Sequence, residues 1–477
     1  MDQASVIGSG PNGLAAAIVL AQAGLKVDVF EAEDTAGGGA RTLELTLPGF
    51  LHDFGSAVHP MAVGSPFFTR LPLAAHGLHW IHGEAPLAHP LDDGTAVVLE
   101  RDLDDAERAF GQDGKTWRSI VEEPVKNWAA FAGEVLGPML HLPRHPFMMA
   151  RFGMNGVLPA DVFCRCQFKS ERTRALFAGL AAHSFLSLDQ PLTAAIGLVF
   201  AVTAHAVGWP VPKGGAQAIT NTLAGYLSKL GGTVHLGQRI SSLDELPQGL
   251  FLCDVSPRQL LAIGGERLSQ SYRRTLARFQ PGPAAFKIDY ALSEAIPWKA
   301  RECLRAITVH VGGTLEEIAE SEKAMASGRH AERPFLIVTQ PSLFDSTRAP
   351  EGKHTAWAYC HVPNGSRVDM TERIENQIER FAPGFRDCVL ARSVSTPLDL
   401  EARDANLIGG DISGGAMSVG QMLFRPSLRQ YATSSRDIYI CSASTPPGGG
   451  VHGMCGFYAA KVALRRMGLL KENRRGD

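Results

Sequence analysis

No two of the eight cysteines stand in a C-x-x-C pair. That argues against the dithiol of a disulfide reductase. No apolar run reaches the ~20 residues needed to cross a bilayer. The nearest, 192–207, is interrupted by Thr193, Thr203 and His205 and reads as a buried helix. No block of basic residues occurs, and the formal net charge is −2, which argues against nucleic acid as a partner. No metal site is expected either. His76, His79, His82 and His89 form a series, but Gly77, Gly83, Pro86 and Pro90 break any helix there. On a strand, a spacing of three sends side chains to alternate faces. The cysteines are scattered, and the first apolar strand starts within five residues of Met1, leaving no room for a signal or transit sequence. The expected setting is reducing and cytoplasmic.

What is present begins at once. At 477 residues the chain has core enough for two or three domains. Residues 5–7 are a short apolar strand, followed by the G-x-G-x-x-G turn Gly8-Ser9-Gly10-Pro11-Asn12-Gly13. Leu14 to Ala23 is Ala-rich and apolar, as a buried helix is, and Gly24 can end it with a positive φ. Residues 26–30 alternate into a second strand that Glu31 closes, eighteen residues after Gly13. This is the pattern of a dinucleotide-binding βαβ unit. Gly8 permits the tight turn, Gly10 the approach of a pyrophosphate, and Gly13 close helix–strand packing. The helix start at Asn12–Leu14, just after Pro11, offers N–H groups and a positive dipole end to the diphosphate. Glu31, with Ala32 beside it, is placed for ribose hydroxyls.

A second glycine run, Gly37-Gly38-Gly39-Ala40-Arg41-Thr42, follows directly. It resembles the second glycine motif, G-G-R-x-x-S/T, of FAD enzymes of the amine oxidase and phytoene desaturase superfamily. Gly37, Gly38 and Thr42 match it. Gly39 stands where the motif has arginine, with Arg41 two residues later. A nicotinamide-binding unit has no need of this run, so the expected dinucleotide is FAD.

Further along, Gly49-Phe50-Leu51-His52-Asp53-Phe54-Gly55 leads to His59-Pro60. Phytoene desaturase relatives carry a similar stretch where the chain crosses towards the active site, which implies that His59 comes near the flavin. Residues 91–99 read as a hairpin around Asp92-Asp93-Gly94, and 102–140 as an amphipathic helical stretch. Arg144 to Phe152 mixes cations with Met and Phe, and three readings stay open: a membrane-surface patch, a loop over an apolar cavity, or a core turn. His183 lies in an apolar segment. Pro212-Lys213-Gly214-Gly215 opens a helix, 233–243 reads as strand, turn, strand, and 251–254 closes on Asp254. In the resembling enzymes the position of Ile240 lends backbone contacts to the adenine end. Residues 270–400 alternate as an antiparallel sheet with one solvated face, and no acid–base pair stands out. Finally, a strand over 436–445 runs into Pro446-Pro447-Gly448-Gly449-Gly450-Val451-His452, with a helix from Phe457 to Met467. Glycines here let the backbone approach a flat ring, and the helix start is expected to aim its N–H groups at the N1/C2=O edge.

Taken together, these motifs resemble phytoene desaturases, retinol saturases and carotenoid ketolases, nearest the branch of pyridine nucleotide-disulfide oxidoreductase domain-containing proteins. The amine oxidase ending A-G-E is missing, since Ser442-Ala443 stands there. The resemblance implies an α/β fold. A Rossmann-like FAD-binding domain over 1–70, 205–265 and 405–477 is expected beside a discontinuous α+β substrate domain over 71–204 and 266–404. It implies an FAD-dependent dehydrogenase or desaturase acting on an apolar, polyene or isoprenoid-like small molecule by hydride transfer to flavin N5. Cofactor contacts are expected from Gly8, Gly10, Pro11, Asn12, Gly13, Glu31, Ala32, Gly37, Gly38, Arg41, Thr42, Ile240, Ser444, Gly449, Gly450 and Val451. His59, His183 and His452 are the candidate proton handlers. A flavin-dependent ketolase or oxygenase, and a lipid-binding protein of the same fold without catalysis, remain as alternatives. Peripheral membrane contact is left open, as is the oligomeric state.

Overall fold

The structure, a computed structural model, describes residues 2–139 and 141–470. Two sheets organise it. The first is a five-stranded parallel sheet in the order Ile438–Ile440, Leu250–Cys253, Gln3–Ile7, Lys26–Phe30, Thr233–His235. Strand order reverses beside Gln3–Ile7, which makes the carboxyl ends of these strands a crevice for ligands. Both faces are covered, as a parallel sheet requires. The helices Pro11–Gln22, Gln217–Lys229 and Met454–Arg466 pack on one face through Leu14, Ile18, Leu223 and Ala460. Leu260, Tyr272 and Leu276 pack on the other. Contact between the first and last of these helices is backbone-close: a Cβ on Gly456 would stand 1.8 Å from the carbonyl oxygen of Asn12.

The second sheet has seven strands, ordered Val389–Ser395, Ala284–Leu292, His354–Val362, Leu336–Thr339, Ala306–Val311, Ala85–Pro90, Ala96–Leu99. All neighbours are antiparallel except Ala306–Val311 with Ala85–Pro90. The strands of the first sheet fall within 1–70, 205–265 and 405–477, and those of the second within 71–204 and 266–404. One solvated face was expected for this sheet. Instead Ala284–Leu292 and Ala306–Val311 are buried on both faces. Phe286, Ile288 and Tyr290 pack against Ile374, Ile378 and Phe381 of the helix Thr371–Phe381. Ala285, Ile337, Trp357 and Tyr359 join the core built by Trp117, Phe131, Phe163, Phe177 and Leu198 from the helical layer. Alternating polar residues such as Lys287 and Asp289 gave the solvated appearance. They are buried because they pair with each other.

Three other expectations shift. The helical stretch 102–140 breaks into Leu103–Ala109, Gly114–Lys126 and Trp128–Val135. The second strand expected within 233–243 is absent: after Thr233–His235 the chain runs irregularly to a single turn at Leu243–Glu245. The last helix is Met454–Arg466, starting three residues earlier than expected, after a left-handed Gly453 (φ +68°).

Candidate functional site

A cavity of about 1270 Å³ runs from the carboxyl ends of the parallel strands to the face of the second sheet. A typical small-molecule pocket measures about 300–1,000 Å³. This one is larger, with room for a dinucleotide and a second ligand. Ile7, Gly8, Gly10, Pro11, Asn12, Phe30, Glu31 and Ala32 line its first end.

That end is a cradle. Gly10 caps the helix Pro11–Gln22 with no side-chain hydrogen bond to the first turn, and Pro11 takes the first helical position, where its missing N–H costs nothing. Asn12 is buried with its Oδ1 unpartnered. Glu31 ends its strand with both oxygens engaged: Oε2 accepts from the N–H and hydroxyl of Ser9 at 2.9 and 2.6 Å, and Oε1 from Glu33 N–H at 3.0 Å. A carboxylate has about four acceptor positions, so it can still take a ribose hydroxyl. The glycines answer to a neighbour as well as to a phosphate. A Cβ on Gly10 would lie 2.8 Å from Asp254 Oδ2, and one on Gly8 2.9 Å from the Asp254 carbonyl. Burial pushes the Asp254 carboxyl up to about 8, with the Gly13 N–H opposing and Asp404 and Glu31 reinforcing.

Arg41 is buried near this cradle. Its guanidinium donates to the carbonyls of Gly38 at 2.8 Å and Arg403 at 2.6 Å, and to Glu33 at 3.4 Å. It also lies over the Phe54 ring. Gly38 and Ile240 line the cavity with Arg41, whereas Gly13, Gly37 and Thr42 sit just behind it. Gly13 N–H goes to Asp254, Gly37 N–H to Ser9 Oγ, and the Thr42 hydroxyl to Asp53 Oδ1 at 2.8 Å.

That last bond belongs to a buried clamp, which ties the strand pair Thr42–Glu44 and Leu51–Asp53 to Ala216 and Arg348. Asp53 is fully buried and accepts from Thr42, from Ala216 N–H at 2.8 Å and from Arg348 at 2.6 Å. Burial alone would raise its carboxyl, but Arg348 and the two other donors hold it below its ordinary value. A Cβ on Gly215 would stand 2.3 Å from Thr42 Oγ1, which explains the second glycine of that turn. Lys287 and Asp289 form a second buried pair beside it, with His52 Nδ1 3.7 Å from Asp289. Reading residues 270–400 one by one missed this pair. Its only signal was the two-residue spacing, which puts both side chains on one face of a strand.

Ser442, Ser444, Pro447, Gly449, Gly450, Val451 and His452 line the middle of the cavity with Gly55 to Pro60. The loop is tightly stacked: a Cβ on Gly449 would lie 2.9 Å from the Ser413 carbonyl. The helix that follows does not present its N–H groups to the cavity as expected. His452 Nδ1 caps it by accepting from Met454 N–H at 3.0 Å, and neither Gly453 nor Met454 lines the wall.

All three candidate histidines reach the cavity, but their chemistry differs. Burial lowers each of them, His59 and His452 to about 4 and His183 to about 3, so all are neutral near pH 7. His452 spends its ring nitrogens on Met454 and on the backbone of Gly448 and Gly449. His183 Nε2 lies 3.0 Å from His310 Nε2, packed against Phe200 and Trp209. His59 holds the Ser56 backbone with one nitrogen, while Nε2 is buried with no partner. His59 thus keeps a lone pair in hand, which His452 does not. The far end of the cavity is apolar, walled by Phe152, Phe185, Phe200, Trp209, Ile337, Trp357 and Tyr359. Among the described residues, no group of three or more His, Cys, Asp or Glu could hold a metal ion.

Comparison with known proteins agrees with this layout. Residues 6–70 match the NAD(P)-binding Rossmann-like domain family. The chain is 26% identical to pyridine nucleotide-disulfide oxidoreductase domain-containing protein 2 of Mus musculus, over 97% of this chain and 93% of the relative. It is 25% identical to a phytoene dehydrogenase of Streptomyces griseus, over 94% and 92%. An oxidoreductase from Methanosarcina mazei has the same fold, with a TM-score of 0.65 at 17% identity over 97% and 100% of the two chains. The resemblance and the α/β fold class read from the motifs are thereby borne out.

Proposed function

We propose that this chain, a relative of pyridine nucleotide-disulfide oxidoreductase domain-containing protein 2 and of phytoene dehydrogenases, is an FAD-dependent oxidoreductase that dehydrogenates an apolar small molecule. One observation carries the reading: the dinucleotide cradle and an aromatic-walled chamber open on one cavity, which Gly449 and Gly450 of the glycine loop also line. The residues fit FAD. Gly10, Pro11 and Asn12 receive the diphosphate at a helix start without a side-chain cap. Glu31 takes the ribose, Ile240 flanks the adenine end, and the Gly449–Val451 backbone forms a floor that side chains would obstruct. FAD, when bound, would supply the acceptor for the hydride, with its two electrons, removed from a substrate C–H bond.

The chain's own residues do the rest. Phe152, Phe185, Phe200, Trp209 and Tyr359 hold an apolar substrate and exclude water. His59 Nε2, neutral and unpaired, accepts the second proton. The helix Pro146–Gly156 provides a way in from a lipid surface. Phe147 and Met154 are 90% and 69% exposed on it, and Leu142 just before it is 93% exposed. Met149 and Phe152, on the same helix, line the cavity. So exposed a Phe147 sets aside the core-turn reading of this stretch. Exposed apolar side chains next to Arg144 and Arg151 suit an interface between acyl chains and anionic headgroups.

The test is an absorption spectrum of the purified protein and of its heat-released supernatant. Bands near ~375 and ~450 nm are expected for oxidised flavin. A protein that stays colourless after incubation with excess FAD overturns the enzyme reading and favours an apolar carrier.

A further inference from the structure

Three neighbouring strands of the second sheet bring one residue each to the same row of the cavity wall. Thr308 pairs directly with Thr339, and Thr339 with Trp357. Residues opposite one another in an antiparallel ladder share a face. All three line the cavity, and all three are at least 95% buried. Each has a polar atom without any hydrogen-bond partner: Thr308 Oγ1, Thr339 Oγ1 and Trp357 Nε1. Buried polar groups are almost always paired, so three orphans in one row call for a partner; each atom is itself covered, so a ligand in the chamber meets it once its side chain turns. Around them the wall is Ile337, Phe185, Tyr359 and Trp209, which offers a hydrocarbon everything it needs without them.

From this row we infer that the substrate carries a neutral oxygen function, a hydroxyl or carbonyl, on its apolar frame, and that Thr308, Thr339 and Trp357 receive it. The inference rests on the dehydrogenase reading and narrows its substrate class. The chemistry of the row sets the group. An indole N–H only donates, so the ligand atom must accept. A threonine hydroxyl both donates and accepts, so alcohols and carbonyls are both served. A ~120° step about χ1 cycles Oγ1, Cγ2 and the β-hydrogen through the three staggered positions, so either hydroxyl can turn to the cavity side without moving the strand. Lys287, whose ammonium lies 5.6 Å from the Trp357 ring, is bound to Asp289 at 2.5 Å, so it offers a carboxylate no free counter-charge. A pure hydrocarbon would leave all three groups unpaired.

The experiment is equilibrium dialysis of the FAD-loaded protein against cyclodextrin-solubilised 1-hexadecanol and hexadecane, with flavin content read on each sample. The alcohol should bind about tenfold more tightly than the alkane. In a T308V/T339V double variant the preference should fall below about threefold while hexadecane affinity holds. T308S and T339S, which keep the hydroxyls, should retain it, and W357F should lose part of it. If the double variant does not fold, the single variants T308V and T339V carry the same comparison. Equal affinity for the two probes in the wild type, or a preference that survives the valines, overturns the inference while leaving a flavin-loaded protein. Absence of flavin in the wild type overturns the dehydrogenase reading instead, so the two failures are distinct.

Discussion

Gly13 donates its backbone N–H to Asp254 Oδ2 at 2.8 Å, across 241 residues of chain. The bond ties the first turn of the dinucleotide helix to the end of the neighbouring parallel strand. It also crowds the turn, since Cβ atoms on Gly8 and Gly10 would run into the backbone and carboxylate of Asp254. The glycine spacing therefore serves the protein's own packing before any phosphate arrives. A Cβ on Gly13 would be 2.1 Å from the Gly8 carbonyl, with no flexible side chain to give way. Gly13→Ala should therefore fail to accumulate as folded protein. Gly10→Ala meets only a carboxylate end, so it should fold and lose FAD affinity by at least about tenfold, measured by flavin release on ultrafiltration. Unchanged affinity in a folded Gly10→Ala would separate this glycine from the cofactor.

The same carboxylate predicts a pH dependence. Asp254 sits at about 8 in the folded chain because burial disfavours its charge. In the unfolded chain it titrates near 3.8. Between these values the unfolded state has given up a proton that the folded state keeps, so this group's contribution to stability is whole below pH 4 and falls as pH rises to 8. Six buried histidines work the other way below pH 6.5: His52, His59, His89, His183, His205 and His452 are lowered to about 3 or 4. They bind protons on unfolding and so destabilise the fold in acid. The Asp254 effect is cleanest from pH 6.5 to 8. Asp254→Asn can still accept from Gly13 N–H, and its melting temperature should decline less over that interval than the wild type's. Parallel profiles for the two proteins would contradict the assignment.

His59 gives a kinetic prediction. Its Nε2 is buried with no partner, and its value of about 4 keeps it neutral at working pH. His59→Gln should bind FAD normally and reduce kcat by about 100-fold or more, the usual scale for losing a positioned proton acceptor. His452→Gln, which removes a helix cap, should instead lower the melting temperature. For the wild type, kcat/KM should be flat from pH 6 to 8. A limb rising through pH 6–7 would show that the proton acceptor is another group.

Much of the cofactor end was legible because it is local. A strand, a glycine turn, an apolar helix and a terminal carboxylate lie within 31 residues, and each leaves its own periodicity or spacing. Thirteen of the sixteen expected cofactor residues line the cavity; Gly13, Gly37 and Thr42 stand behind them and hold the wall in place. What was not legible depends on register between distant strands. Thr308, Thr339 and Trp357 form a row only because three strands align in one way. Lys287 and Asp289 looked like a wet sheet face, since their cover, His52 and Trp357, comes from strands distant in sequence. Asp53 and Arg348 are 295 residues apart, yet they close one buried ion pair. The helix start at Met454 was misplaced because Met454-Cys455-Gly456 continues the glycine-rich loop in composition while already coiled.

The exposed helix next to the cavity gives the last prediction. Burying a Leu or Phe side chain that otherwise faces water is worth about 1.5–3 kcal/mol. Leu142 and Phe147, both at least 90% exposed, meet that condition, and acyl chains would satisfy it. A Leu142→Ser, Phe147→Ser variant should therefore bind vesicles of phosphatidylcholine and phosphatidylglycerol at least about tenfold more weakly than the wild type, measured by cosedimentation. The two side chains contact solvent, so the variant should keep its melting temperature and its flavin. Arg151→Gln should lower binding chiefly at low ionic strength, where headgroup attraction is least screened. The apolar and ionic parts of the contact separate in this way. If both variants sediment with vesicles as the wild type does, the helix Pro146–Gly156 is not a route by which substrate leaves a membrane for the cavity.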